Sequence, residues 1–98
     1  MAYNIELHEI AEEELWETVD WYNTQKERLG KDFAKELQEV VKLLKDNPKQ
    51  FSKAFKDKRK AVLRRFPYVV IFEIHGKTVN VLAIFHTSRN PKIWRERV

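Results

Sequence analysis

The sequence predicts an α+β fold: a single small domain over residues 1–98, in the order β-α-α-β-β-β with a short C-terminal helix, its antiparallel sheet packed by a helical hairpin. Three observations predict it. The hydrophobic period changes from two to helical spacing near Glu9. The stretch NTQKERLG then separates two helical patterns. Finally, two apolar runs, YVVIFEI and TVNVLAIFH, flank the turn HGK.

Each element follows in order. Tyr3, Ile5 and Leu7 alternate with Asn4 and Glu6, the pattern of a short strand with one buried face. Leu7, Ala11, Leu15, Val19 and Tyr22 then recur at helical spacing, opposite Glu9, Glu12, Glu13, Glu17 and Asp20. Acidic residues in the first turns oppose the positive end of the helix dipole and mark the start. Trp16, Trp21 and Tyr22 are read as core and hairpin packing. Leu29, Phe33, Leu37, Val40, Val41 and Leu44 define a second helix, stopped by Asn47-Pro48. A short link between two helices makes an antiparallel hairpin.

The basic segment QFSKAFKDKRK reads as an irregular loop or a frayed sheet edge. Ala61 to Phe66 forms a strand, and Pro67, which has no N–H to donate, marks a junction. Tyr68 to Ile74 and Thr78 to His86 form a hairpin turned at Gly76. Both strands are apolar at nearly every position, as expected where helices cover one face and a partner or further packing covers the other. A short helix begins near Pro91.

Composition excludes several classes of protein. With no cysteine, neither disulfides nor thiolate zinc sites hold the fold. MAYNIELHEI lacks the features of a signal peptide, and no run approaches the roughly 20 apolar residues of a membrane span. A soluble, cytoplasmic protein without membrane partners is expected. His8, His75 and His86 lack metal-ligand spacing, so no metal and no cofactor is expected. No glycine loop for phosphate is present, and Ser88 beside His86 has no positioned acid.

Charge is divided unevenly along the chain. Residues 1–47 hold 6 Lys/Arg against 12 Asp/Glu, a net of −6; residues 48–98 hold 13 against 3, a net of +10. The basic half suits an acidic partner, either nucleic acid or a carboxylate-rich protein surface.

Particular residues carry a resemblance that spans almost the whole chain. They are Trp21-Tyr22, LGKDF at the start of the second helix, Asn47-Pro48, Arg-Phe-Pro-Tyr at 65–68, and His-x-x-Arg-x-Pro-x-x-Trp at 86–94. In this order and spacing they resemble the RelE/ParE superfamily of bacterial type II toxins, and most of all its ParE-like, plasmid-stabilisation branch. The resemblance implies a toxin neutralised by a cognate antitoxin, as a homodimer or a toxin–antitoxin hetero-oligomer. An amphipathic helix or added strand of the antitoxin would lie against the apolar strands and the hairpin.

Two targets divide the superfamily. RelE-like members are ribosome-dependent, metal-free mRNA endoribonucleases, a chemistry that needs 2′-hydroxyl activation, charge stabilisation and a proton for the leaving oxygen. Their usual arginine after the strand-opening tyrosine is Val69 here, and their near-terminal tyrosine is matched by Trp94, whose N–H is no acid. Arg64, Arg65, His86 and Arg89, with Lys56, Lys58 and Lys60, are the available substitutes. ParE-like members instead inhibit DNA gyrase and need only a tight binding surface. For that role Arg64, Arg65, Arg89, Trp94, Arg95 and Arg97 are the expected contacts, since arginine and tryptophan are enriched at interface hot spots. Alternation along a strand lets only one of Arg64 and Arg65 face a shared partner, unless the Pro67 junction breaks it. His86 orients a loop and Trp94 caps the sheet on this reading. A third possibility is a non-toxic module that only binds antitoxin or co-represses with it.

Overall fold

The alternation at Tyr3, Ile5 and Leu7 forms β1 (Asn4–Leu7), and the change of period starts α1 (Glu9–Gln25) in the computed structural model, which describes residues 2–97. The second helical stripe forms α2 (Leu29–Asp46), ended by Asn47 and a 3-10 turn at Pro48–Gln50. This hairpin brings the chain back to its start, where Tyr3 N–H donates to the Lys45 carbonyl at 2.9 Å. Close approach of the helices depends on Gly30. A Cβ there would lie 2.3 Å from the Val19 carbonyl oxygen.

Four strands follow as a meander: β2 (Lys53–Phe55), β3 (Lys58–Val62), β4 (Tyr68–His75) and β5 (Thr78–His86), with α3 (Lys92–Arg95) after them. The sheet order is β1-β5-β4-β3-β2. Several expectations need correction. The sheet is mixed rather than antiparallel, because β1 pairs parallel with β5, Asn4 opposite Thr78 and Leu7 opposite Val81. A strand's alternation reveals its buried face but not its partner, and here the partner is the last strand in the chain.

The basic segment, expected as a loop or a frayed sheet edge, does lie at the edge, but as a hairpin whose β2 is the outermost strand. Its turn places Lys56 at φ 54°, a conformation usually marked by glycine or asparagine, so the usual signal is missing. The following strand ends at Val62 and not at Phe66, because Arg64 and Arg65 donate their backbone N–H groups to the Glu36 carboxylate instead of to a strand. Pro67 does mark a junction: Tyr68 N–H turns back to the Phe66 carbonyl at 2.7 Å. Gly76 takes φ 59° at the β4–β5 turn, as read.

Helices cover one face of the sheet. Phe33, Leu37, Val40 and Leu44 of α2 and Ala11 and Tyr22 of α1 pack against Val70, Phe72, Val79, Val81 and Ile84. Tyr22 stacks on Phe33 at 5.7 Å, and Phe66 meets both rings edge-on at 4.9 and 5.2 Å. Each such side chain, fully buried, contributes about 1.5–3 kcal/mol. Trp16 and Trp21 are not core, being 56% and 54% exposed. The buried stripe of α1 runs through Ala11, Thr18 and Tyr22, and a residue one step away is rotated by about 100° out of it.

The other face carries a smaller cluster of Ile71, Leu82, Ala83, Phe85 and Trp94, with Ala54, Phe55 and Val69 against it. A bulge creates it. Ile71 pairs with Ala83 but Phe72 pairs with Val81, so Leu82 has no opposite number and joins Ala83 on this second face. The apolar density of β4 and β5 thus serves two layers, the second closed by α3 and β2.

Candidate functional site

The C-terminal segment builds a groove on the second face. After β5, Thr87 N–H is held by the Pro67 carbonyl at 2.8 Å and Arg89 N–H turns back to His86 at 3.1 Å. Asn90 Oδ1 then accepts Lys92 N–H at 3.0 Å, and Pro91 sits where a missing N–H costs least. The resulting turn of α3 buries Trp94 edge-on against Phe55, with centroids 6.0 Å apart. Between α3 and β3 lies a groove of about 300 Å³, with Val69, Ile71 and Phe85 in its lining and Lys60, Arg89 and Arg95 at its rim.

Aromatic rings hold the two arginines of this rim. The Arg89 guanidinium carbon lies 4.7 Å from the Phe85 centroid, and that of Arg95 lies 5.0 Å from Phe55 and 5.6 Å from Trp94. Such stacking fixes a guanidinium plane without neutralising its charge. Among the described residues, Arg95 Nε is the buried side-chain nitrogen left without an acceptor.

His86 ends β5 between this groove and a smaller cleft shared with Glu17, Trp21, Tyr68 and Arg89. Its ring meets Tyr68 edge-on at 5.0 Å. The Ser88 backbone N–H donates to Nδ1 at 3.0 Å, and the Ser88 hydroxyl oxygen lies 2.7 Å from the same nitrogen. A backbone N–H only donates, so Nδ1 is the acceptor and the ring proton is on Nε2. His75 is elsewhere, with Nε2 3.2 Å from Glu73 Oε1. Among the described residues no group of three or more His, Cys, Asp or Glu side chains is placed to hold a metal ion.

The six arginine and tryptophan positions singled out in the sequence fall in three places. Arg89, Trp94 and Arg95 share the second-face groove. Arg64 and Arg65 lie on the other side of β3, along a wider groove of about 700 Å³ beside α2 that Asp32, Glu36, Val40, Leu43 and Val62 also line. Arg65 Nη2 lies 3.9 Å from Asp32 there. Arg97 reaches α1, where its two terminal nitrogens each meet one oxygen of Glu14 at 3.1 Å. Of the lysines, Lys60 joins the groove, Lys56 stacks on Phe55 at 5.2 Å, and Lys58 is paired with Asp57 and Glu73.

Two acids organise this surface and were not among the residues picked from sequence. Glu14 was one of many on α1, yet its position three residues from Ala11 and four from Thr18 puts it on the flank of the buried stripe. Glu73 interrupts YVVIFEI, and an acid within an apolar run signals a partner.

A mixed sheet with a helical hairpin on one face and a cationic groove on the other is the architecture that the resemblance to the RelE/ParE superfamily implies. The family model described as the ParE toxin of the type II toxin–antitoxin system parDE matches residues 5–91, and the chain belongs to that family. Toxin ParE2 of Mycobacterium tuberculosis is 25% identical over 92 residues, 93% of this chain and 88% of that protein. Among solved structures, the chromosomal ParDE toxin–antitoxin system of P. aeruginosa superposes with a TM-score of 0.78 at 20% identity, over 89% of this chain and 98% of that one. The toxin–antitoxin complex RelBE2 of Mycobacterium tuberculosis superposes at 0.61 and 16% identity, over 88% and 99%. No helix among the described residues is long and apolar enough to cross a membrane.

Proposed function

We propose that this toxin arrests growth by binding DNA gyrase through the second-face groove, without covalent chemistry of its own. The observation that carries the reading is the rim itself. Arg89 and Arg95 are charged, stacked on aromatic rings, and set over an apolar floor with Trp94 beside them, the composition of an interface hot spot. A binding surface needs nothing more. Proton transfer would need more, and the positions where the related ribonucleases carry arginine and tyrosine are the half-buried Val69 and the buried Trp94.

A cognate antitoxin is the second partner proposed, supported by the toxin–antitoxin complexes among the structural relatives. The groove between α2 and β3 suits it. Lys60 N–H points to β2, donating to Ser52 at 3.1 Å, and Val62, two residues on, turns its backbone to the same side past the end of β2. Val62 and Leu43 are 59% and 47% exposed there, offering an edge and an apolar patch to an added segment.

The alternative of ribosome-dependent mRNA cleavage rests on His86, Arg89 and Lys60 sharing one groove. Supercoiling by purified gyrase, run beside mRNA cleavage on translating ribosomes, separates the two. Blocked supercoiling with intact mRNA supports the first reading; cleavage with normal supercoiling replaces it by the second. Failure of induced expression to arrest growth leaves the non-toxic module.

A further inference from the structure

We infer that Glu14 is a positioning residue: together with Arg97 it latches the C-terminal segment round the open edge of β5 and so holds one wall of the second-face groove in place. The inference rests on the reading of that groove as the target surface. Its structural half stands on geometry alone.

The need for a latch follows from α3. A helix of four residues forms too few hydrogen bonds to repay its own nucleation. Asn90 Oδ1 caps only its first N–H, that of Lys92, at 3.0 Å. Its position must therefore come from side chains that reach elsewhere. Trp94 is one, buried against the second face. Arg95, stacked on Phe55 at 5.0 Å, is a second. Arg97, three residues on from Trp94, is a third, and it reaches a different layer of the molecule.

The route of Arg97 is set by where β1 stops. Strand β1 accompanies β5 only to Val81, and His8 N–H closes that pairing on the Val81 carbonyl at 2.9 Å. Beyond it the edge of β5 is bare of strand. Glu14, projecting from α1 on the helix side, fills the gap by accepting Ile84 N–H at 3.1 Å through Oε1. The same carboxylate receives Arg97 in a two-pronged pair, Nη1 to Oε1 and Nη2 to Oε2, both 3.1 Å, across 83 residues of chain. On its way Arg97 passes the Phe85 ring of the second face at 5.9 Å. The chain thus wraps from one face of the sheet to the other and is tied there.

Burial makes this pair different from an ordinary surface ion pair. The side chains of Glu14 and Arg97 are 12% and 20% exposed, and the fork geometry leaves neither a spare oxygen nor a loose guanidinium. With the tie cut, Trp94, the Arg95 stack on Phe55 and the Asn90 cap would be left to hold α3, and the wall that includes Pro91, Trp94 and Arg95 would be held less firmly.

Hydrogen exchange of the full chain, followed by mass spectrometry, reads the latch directly. Arg97→Ala leaves Ile84 N–H with its acceptor, and is expected to speed exchange in residues 92–97 about tenfold while β4 stays protected. Against purified gyrase, its half-inhibitory concentration rises at unchanged maximal inhibition, because only latched molecules present the groove. Arg97→Lys, which keeps the charge but loses the fork, falls between. Glu14→Ala has the same effect on α3 and adds little to Arg97→Ala in the double variant. Should Glu14→Ala not fold, the Arg97 variants decide. Unchanged exchange in Arg97→Ala, or an equal rise in β4, overturns the latch whatever the target. Faster α3 exchange with undiminished gyrase inhibition overturns the positioning role. If the unmodified chain does not inhibit gyrase, the proposed target falls, and the exchange measurements judge the latch alone.

Discussion

Lys58 and Glu73 meet across β3 and β4, with Nζ 2.9 Å from Oε2 and the two side chains only 14% and 15% exposed. Asp57 adds a second oxygen to Lys58 at 2.7 Å, and His75 approaches the other oxygen of Glu73 at 3.2 Å. The chain thereby satisfies a carboxylate inside an otherwise apolar strand.

The pair makes stability depend on pH in a defined direction. The hydrogen bonds that Lys58 donates to Asp57 and then to Glu73 raise it above the usual lysine range. Burial pushes Glu73 up, but the hydrogen bond and charge of Lys58, with His75, outweigh it and hold Glu73 below the usual range. The contribution of Glu73 is therefore present above its unfolded value of about 4.3 and is lost as pH falls through the lower folded value. That of Lys58 is complete below about 10.4 and is lost as pH rises through its higher folded value. Glu73→Ala should cost about 1–3 kcal/mol at neutral pH, a difference that shrinks in acid. Urea unfolding of both proteins across the acid range measures it; a pH-independent difference would mean that packing and not charge is lost.

Gly30→Ala tests the helical hairpin. Alanine favours a helix by up to about 1 kcal/mol over glycine, yet here its methyl group would run into the Val19 carbonyl and the Asn23 side chain, which itself accepts Gly30 N–H at 2.9 Å. Backbone must shift, so a net loss of about 1–3 kcal/mol is expected. Thermal denaturation should show a fall of several degrees, and a rise would mean that the helices have room to separate.

The Arg89→Ala and Arg95→Ala variants address the groove. Each removes a guanidinium stacked on a ring while leaving the sheet intact, and each should raise the half-inhibitory concentration against gyrase roughly 30-fold, as for a hot-spot residue. Growth arrest should disappear while antitoxin binding survives. Undiminished arrest by both variants, with circular dichroism confirming the fold, would place the active surface elsewhere, and the Arg64 and Arg65 side of β3 would be the next to test.

How much of this was legible in the sequence depended on distance along the chain. The helices were legible because their stripes, the acidic start at Glu9 and the stop at Asn47-Pro48 are all local. The β4–β5 hairpin was legible for the same reason, with Gly76 between two apolar runs. The parallel pairing of β1 with β5 was not, since nothing in Tyr3-Ile5-Leu7 names a partner more than seventy residues away. The β2–β3 turn was hidden because Lys56 occupies a left-handed position without the glycine that usually announces it. The same division runs through the site. Arg89, Trp94 and Arg95 belong to one segment and stay together in space, whereas the acids that tie Arg64, Arg65 and Arg97 come from the helices.

Leu43→Asp is expected to separate antitoxin binding from toxicity. Leu43 lies in the last turns of α2, 47% exposed, on the groove beside the uncovered backbone of Val62. Because the side chain is half in water already, the substitution should cost the fold less than about 1 kcal/mol. An antitoxin segment laid on this patch would instead have to bury a carboxylate against Val40 and Phe51, beside Glu36 and Glu39 of the same groove. Desolvating a charge among like charges weakens binding by several kcal/mol. Val62 borders both grooves, but Leu43 lines only the one beside α2, so the substitution leaves the lining of the second-face groove unchanged. Co-expression with the cognate antitoxin proposed above should therefore rescue cells from the unmodified toxin but not from Leu43→Asp, while both arrest growth equally when expressed alone. Full rescue of the variant would move the antitoxin to another face, with the exposed flank of α1 around Trp21 the next surface to test.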